Sequence, residues 1–166
     1  MSDAVEPKIS VREVRTSDEL TEAMKLVNAY AQSLKPSYCI QDLSNELAQL
    51  TTRYGPPFGG LLIAYIGDVA AGCCAFRPLP ETDHANACEM KRLYVSPAYR
   101  SMGLGHLLVE AVMDAARVAG YSCVLLDTLN EMEAARALYE EMGFVEVAPY
   151  VQSPIPGAHH LKVDLQ

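Results

Sequence analysis

The stretch VSPAYRSMGLGHLLVEAV, residues 95–112, places Gly103 and Gly105 directly ahead of a strongly amphipathic segment. Glycine at a helix start can be a plain turn device. It can also let main-chain amides close on an anion that the helix dipole favours. Upstream, ACEMKRLYV (87–95) has strand composition, and a period of two puts Glu89, Lys91, Leu93 and Val95 on one face and Cys88, Met90, Arg92 and Tyr94 on the other. Downstream, Leu104, Leu107, Leu108, Ala111, Val112 and Ala115 recur at helical spacing and predict one buried stripe, which Gly120 closes as a glycine C-cap. The glycines therefore sit at a strand-to-helix junction. They do not make a nucleotide triphosphatase loop, because no Gly-Lys-Ser/Thr follows. Nor do they make a dinucleotide fingerprint, because Leu108 stands where a third glycine is expected.

Outward from this junction the chain alternates strands and helices. ISVREV (9–14) reads as a first strand, and Thr16, Ser17 and Asp18 offer N-cap oxygens to a helix that Pro36 closes. A second helix is expected over about 42–53, then a stiff YGPPFGG connection and a hairpin over 61–77 turning at Gly67 and Asp68. SCVLLD (122–127) is a nearly unbroken apolar run of the kind found in central strands. A helix over about 131–142 follows, then FVEV and a last strand near 159–165. This order implies a mixed α/β layer structure with one β-helix-β crossover at the centre. Its 166 residues fit one domain, 1–166.

Composition narrows the function. With 21 acidic and 13 basic residues the net charge is −8, which argues against a general nucleic-acid surface and favours a cationic partner. Lys91, Arg92 and Arg100 nevertheless gather near the glycines, with His106 alongside, suggesting a small anion held locally. No apolar run is long enough for a membrane span. The acidic, proline-containing start, Met1 to Lys8, reads as neither signal nor transit peptide, so a cytoplasmic address is expected. Five cysteines without a CxxC pair suit buried reduced thiols, and the adjacent His159 and His160 lack companions for a metal site; no metal is expected.

The hexapeptide RSMGLG (100–105), with KRLYVSPAYR before it, GHLLVEAVMDAARVAGY after it and the later AARALYEEMGF, resembles the GNAT superfamily of acyl-CoA-dependent N-acyltransferases, whose signature is Arg/Gln-x-x-Gly-x-Gly/Ala in this context. The match is specific over about residues 87–148. YGPPFGGLLIA, CEMKRLYV, LDTL and PYVQSPIPGA are similar to a branch without an assigned substrate. The resemblance implies a mixed, mostly antiparallel, strongly curved sheet of about six or seven strands, flanked by about four helices, with a splayed central strand pair.

It also implies roles. Amides around Met102, Gly103, Leu104, Gly105 and His106 would hold the pyrophosphate of acetyl-CoA, the pantetheine arm would pair with main chain near Leu93 and Val95, and Tyr94, Arg100 and Ser101 would also belong to the cofactor site. An N–H of Leu93 or Tyr94 would donate to the oxyanion. Tyr139 would be the general acid towards the departing thiolate, its alternative being a core aromatic on the stripe with Ala135, Leu138 and Met142. Glu89 would be the base, directly or through a water, its alternative being an ion pair with Lys91. Met132 departs from the asparagine that relatives carry at the start of the tyrosine helix, and Asn130 is the nearest substitute. Tyr38, Tyr54 and Tyr150 are candidates to line the acceptor pocket. The expected activity is transfer of acetyl to a primary amine of a small molecule or amino acid. Protein lysine or N-terminal acetylation, and a non-catalytic acyl-CoA sensor, are the alternatives; a homodimer is compatible with the sequence.

Overall fold

The computed structural model describes residues 6–34, 42–129, 132–151 and 154–165. Seven strands form one sheet in the order β1-β2-β3-β4-β5-β7-β6: β1 Ile9–Glu13, β2 Gly60–Ile66, β3 Val69–Pro78, β4 Ala87–Val95, β5 Cys123–Leu129, β6 Val145–Val147 and β7 Ala158–Asp164. Every neighbouring pair is antiparallel except β4 and β5. The helices are α1 Ser17–Ser33, α2 Leu43–Ala48, α3 Leu50–Arg53, α4 Leu104–Ala119 and α5 Glu133–Glu141.

Local chemistry sets the ends of these elements. Thr16 and Glu19 close a reciprocal capping box on α1, with Glu19 N–H donating to Thr16 Oγ1 at 3.1 Å and Thr16 N–H to Glu19 Oε1 at 3.0 Å. Gly120 ends α4 at φ +94°, a conformation glycine adopts without steric cost. The helix expected over 42–53 is instead broken at Gln49. The break turns Leu50 and Tyr54 into the core beside α1, while Glu46 is buried on the preceding turn.

Two cores lie on opposite faces of the sheet. Leu61, Ile63 and Tyr65 of β2 with Cys73 and Ala75 of β3 pack against Ala23, Leu26 and Val27 of α1. The alternate residues, Leu62, Ala64, Cys74 and Phe76, pack against α4, as do Cys88 and Met90 of β4. The buried residues of α4 are Leu104, Leu108, Val109, Val112 and Ala116. The expected stripe is thus rotated: Leu107 is 37% exposed, and Val109 and Ala116 are fully buried.

A second correction concerns β4. Its alternation does not run unbroken, because the β3–β4 register shifts between Cys73 and Ala75, which face Tyr94 and Lys91, and Arg92 stands at φ +63°. This bulge moves Leu93 and Val95 onto the α4 face with Cys88 and Met90, whereas Tyr94 packs on the α1 face. Glu89 and Leu93 therefore do not share a face. β4 and β5 pair over only Ala87–Cys123, Cys88–Val124 and Glu89–Leu125, and then part.

The rotated stripe gives a direct test. Leu108→Ala should lower unfolding free energy by about 2–5 kcal/mol in urea denaturation, and Leu107→Ala by less than about 1 kcal/mol, because only the first leaves a cavity.

Candidate active site

Where β4 and β5 part, main-chain groups of β4 beyond Glu89 lose their partner on that side. A cavity of about 810 Å³ opens there, bounded by Leu93, Tyr94 and Val95 of β4, by the loop entering α4, and by Ala134, Ala135 and Leu138 of α5. Ser101 at φ +72° and Gly103 at φ +79° turn that loop into α4. Gly103 is the N-cap, and no side chain satisfies the first-turn amides of the helix, so those N–H groups are free to meet an anion at its positive end. At Gly103 the requirement is conformational, since nothing lies within 4 Å of an added Cβ. At Gly105 it is spatial, since a Cβ would meet Leu138 Cδ2 at 3.2 Å on the cavity wall.

Ser101, Gly103, Leu104, Gly105 and His106 border this cavity, while Met102 is 42% exposed outside it. Arg100 also borders it; its Nε donates to Val95 O at 2.9 Å, which ties the loop to the end of β4. The basic cluster expected near the glycines does not form. Lys91 lies 3.6 Å from Glu89 and 3.5 Å from Asp127, and Arg92 pairs with Glu46, so only Arg100 and His106 remain at the loop.

A smaller cavity of about 80 Å³ lies in the gap between the strands, bordered by Tyr30, Met90, Asp127, Thr128, Met132 and Tyr139. Tyr139 on α5 is 5% exposed, and among the described residues none hydrogen-bonds its hydroxyl. Burial pushes that phenol far above its ordinary value of 10, so it remains a proton donor throughout the neutral range. Asp127 and Thr128, which sequence reading did not single out, end the apolar β5 run inside this cavity. An acid closing a central strand next to a parting is the signal that could have found them.

Glu89 is 2% exposed and lies on the opposite sheet face from Tyr139. Arg77 donates to its Oε1 from Nε at 3.2 Å and Nη2 at 3.1 Å, and the Tyr150 hydroxyl donates to its Oε2 at 2.8 Å. Burial and the charges of Glu89 and Asp127 hold the Tyr150 phenol well above the usual range. Tyr150 also borders a third cavity, of about 520 Å³, with Thr82, Asp83 and His84, and so joins it to buried Glu89. The His160 ring stands edge-on to Tyr150 at 4.9 Å between centroids.

The remaining candidates divide. Tyr54 is packed in the α1-side core at 1% exposure and borders none of these cavities. Tyr38 and Asn130 lie outside the described residues. Met132 N-caps α5 and accepts from Thr128 Oγ1 at 3.8 Å through Sδ. Cys73, Cys74, Cys88 and Cys123 are buried and free; burial pushes Cys73 and Cys88 up to about 12 and Cys74 well above its ordinary value. Among the described residues no His, Cys, Asp and Glu group could hold a metal ion, and no helix is long and apolar enough to cross a membrane.

Known proteins resemble this chain in sequence and in fold. The pattern of the Acetyltransferase (GNAT) family matches residues 22–144. An uncharacterized N-acetyltransferase of Schizosaccharomyces pombe is 35% identical over 158 residues, 95% of each chain. The IAA acetyltransferase of Azospirillum brasilense is 30% identical over 145 residues, 87% of this chain and 89% of that one. In fold, the ribosomal-protein-alanine N-acetyltransferase of Brucella melitensis superposes with a TM-score of 0.76 at 19% identity, covering 94% of this chain and 99% of its own. A Salmonella typhimurium protein solved with its cofactor acetyl-CoA gives 0.71 at 20% identity, covering 95% and 94%. The chain belongs to the GNAT acetyltransferase family and is an acyl-CoA-dependent N-acetyltransferase.

The two glycines should separate experimentally. Gly103→Ala should lower stability by about 1 kcal/mol through its left-handed φ. Gly105→Ala should weaken acetyl-CoA binding, read by calorimetry, by about tenfold at little cost in stability.

Proposed function

We propose that the protein transfers acetyl from acetyl-CoA to a primary amine of a small molecule or amino acid, by direct attack within a ternary complex. The observation that carries this reading is the parting of β4 from β5 beyond Glu89, with an uncapped helix start at one end and Tyr139 in the gap. These groups fit acetyl-CoA: α4 amides and Arg100 for the pyrophosphate, and unpaired β4 main chain near Leu93, Tyr94 and Val95 for the pantetheine amides. A thioester seated in the gap would present one side to Tyr139 and the other to the Glu89 face.

The chemistry then divides among named groups. Glu89 takes a proton of the acceptor ammonium through the Tyr150 hydroxyl, which gives its own proton to Oε2 as it receives one from nitrogen. The freed amine lone pair attacks the thioester carbon, and a main-chain N–H of Leu93 or Tyr94 donates to the oxygen that gains charge. As the carbon–sulfur bond breaks, Tyr139 protonates the leaving sulfur. The net charge of −8 favours an acceptor that arrives as a cation.

Tyr139→Phe should lower kcat by about a hundredfold and change the acetyl-CoA dissociation constant less than about threefold. Because the Tyr139 phenol is raised above 10, it should impose no alkaline fall in kcat below about pH 9.5. A screen of amines with coenzyme A release as readout tests the acceptor class. Label from acetyl-CoA appearing only in protein would move the assignment to a protein acceptor, and binding without transfer to any amine would make the chain a sensor.

A further inference from the structure

Arg92 is the one residue of β4 with a positive φ, +63°. A long side chain is disfavoured in that region, where glycine is the ordinary occupant. Yet the conformation decides which way the rest of the strand faces. Residues 88 and 90 point to α4, and the extra residue at the bulge brings 93 and 95 to that same face, where they border the large cavity. Without the bulge, strict alternation would put Leu93 and Val95 on the α1 side.

The Arg92 side chain is held from outside the strand. Its Nε donates to Glu46 Oε2 at 2.8 Å, and its Nη2 donates to Glu46 Oε1. Glu46 is 1% exposed on the short helix α2, and Arg53 reaches the same Oε1 at 3.4 Å. Burial opposes the Arg92 charge, and the hydrogen bonds and charge of Glu46 more than offset it. A two-point, planar grip fixes the guanidinium in orientation as well as position. On the backbone side, the Arg92 carbonyl accepts from Cys73 Sγ at 3.4 Å, so it is turned towards β3 and away from the gap.

We propose that Glu46 and Arg92 are positioning residues: the forked ion pair from α2 holds Arg92 in the left-handed conformation, and so aims Leu93, Tyr94 and Val95 at the cofactor cleft. The functional consequence rests on the acetyl-CoA reading of that cleft. α2, which borders neither donor-side cavity, thereby sets the geometry of the strand edge on which the donor lies.

Glycine provides the discriminating test, because it adopts φ +63° with no side chain to hold. Glu46→Leu should weaken acetyl-CoA binding, read by calorimetry, by about tenfold, and adding Arg92→Gly should return it to within about threefold of wild type. The thermal midpoint should stay lowered in both, since both lack the buried pair. A merely structural pair predicts the opposite pattern, a lowered midpoint with unchanged binding in Glu46→Leu, and that result overturns the proposal. So does a double variant that binds no better than the single one. Should Glu46→Leu not fold, Glu46→Gln keeps the shape and is read against Glu46→Gln with Arg92→Gly in the same way. Wild-type protein that binds no acetyl-CoA would remove the cofactor reading instead. The device would then be decided by a crystal structure of the Glu46 variant, where Leu93 and Val95 still facing α4 overturns it.

Discussion

Two parallel strands that stop pairing after three residues govern this molecule. A strand interior normally has both edges satisfied, and an unpaired edge within a sheet is costly unless something else meets its N–H and C=O groups. Here β4 keeps β3 on one side and gives up β5 on the other beyond Glu89. The crossover helix α4 begins at the end of β4, so its uncapped amides and the open strand edge converge on one cleft. An extended, anionic ligand satisfies both deficits at once.

In the proposed mechanism the sheet also separates the two halves of the reaction. Tyr139 belongs to the α4 side, with the cavity that suits the donor, and Glu89 to the other side with Arg77, Lys91 and Tyr150. Arg77, Glu89, Lys91 and Asp127 alternate in sign and sum to zero formal charge, so this face of the sheet is locally polar and neutral. Asp127 and Tyr139 both border the small cavity in the gap between the strands.

Much of this was legible in residues 87–148. The apolar period of β5, the glycine junction and Gly120 placed β4, α4 and β5 to within a residue or two, because each rests on a local rule that tertiary context leaves intact. What escaped depended on contacts distant in sequence. The rotation of the α4 stripe, exposing Leu107 and burying Ala116, follows from how the helix lies across β2 and β3, which periodicity alone does not fix. The bulge at Arg92 had no glycine to announce it, and its partner Glu46 is 46 residues away. The dispersal of Lys91 and Arg92 from the expected anion cluster has the same cause, since each charge found an acid brought in by another element. Tyr54, a pocket candidate at the start of the YGPPFGG connection, is carried into the core by the break at Gln49.

The buried cysteines acquire a meaning beside a thioester. An acetyltransferase of this family liberates a thiol at every turnover, and Cys73 and Cys74 lie on β3, the strand paired with the other edge of β4. Either sulfur, if ionised, could attack the thioester carbon and capture the acyl group itself as the coenzyme A thiolate leaves. Both are buried, both donate to β4 carbonyls, and burial keeps both protonated far past neutrality. The core beneath the cleft is chemically inert toward the substrate above it, and packing of ordinary small residues supplies that protection without any dedicated guard.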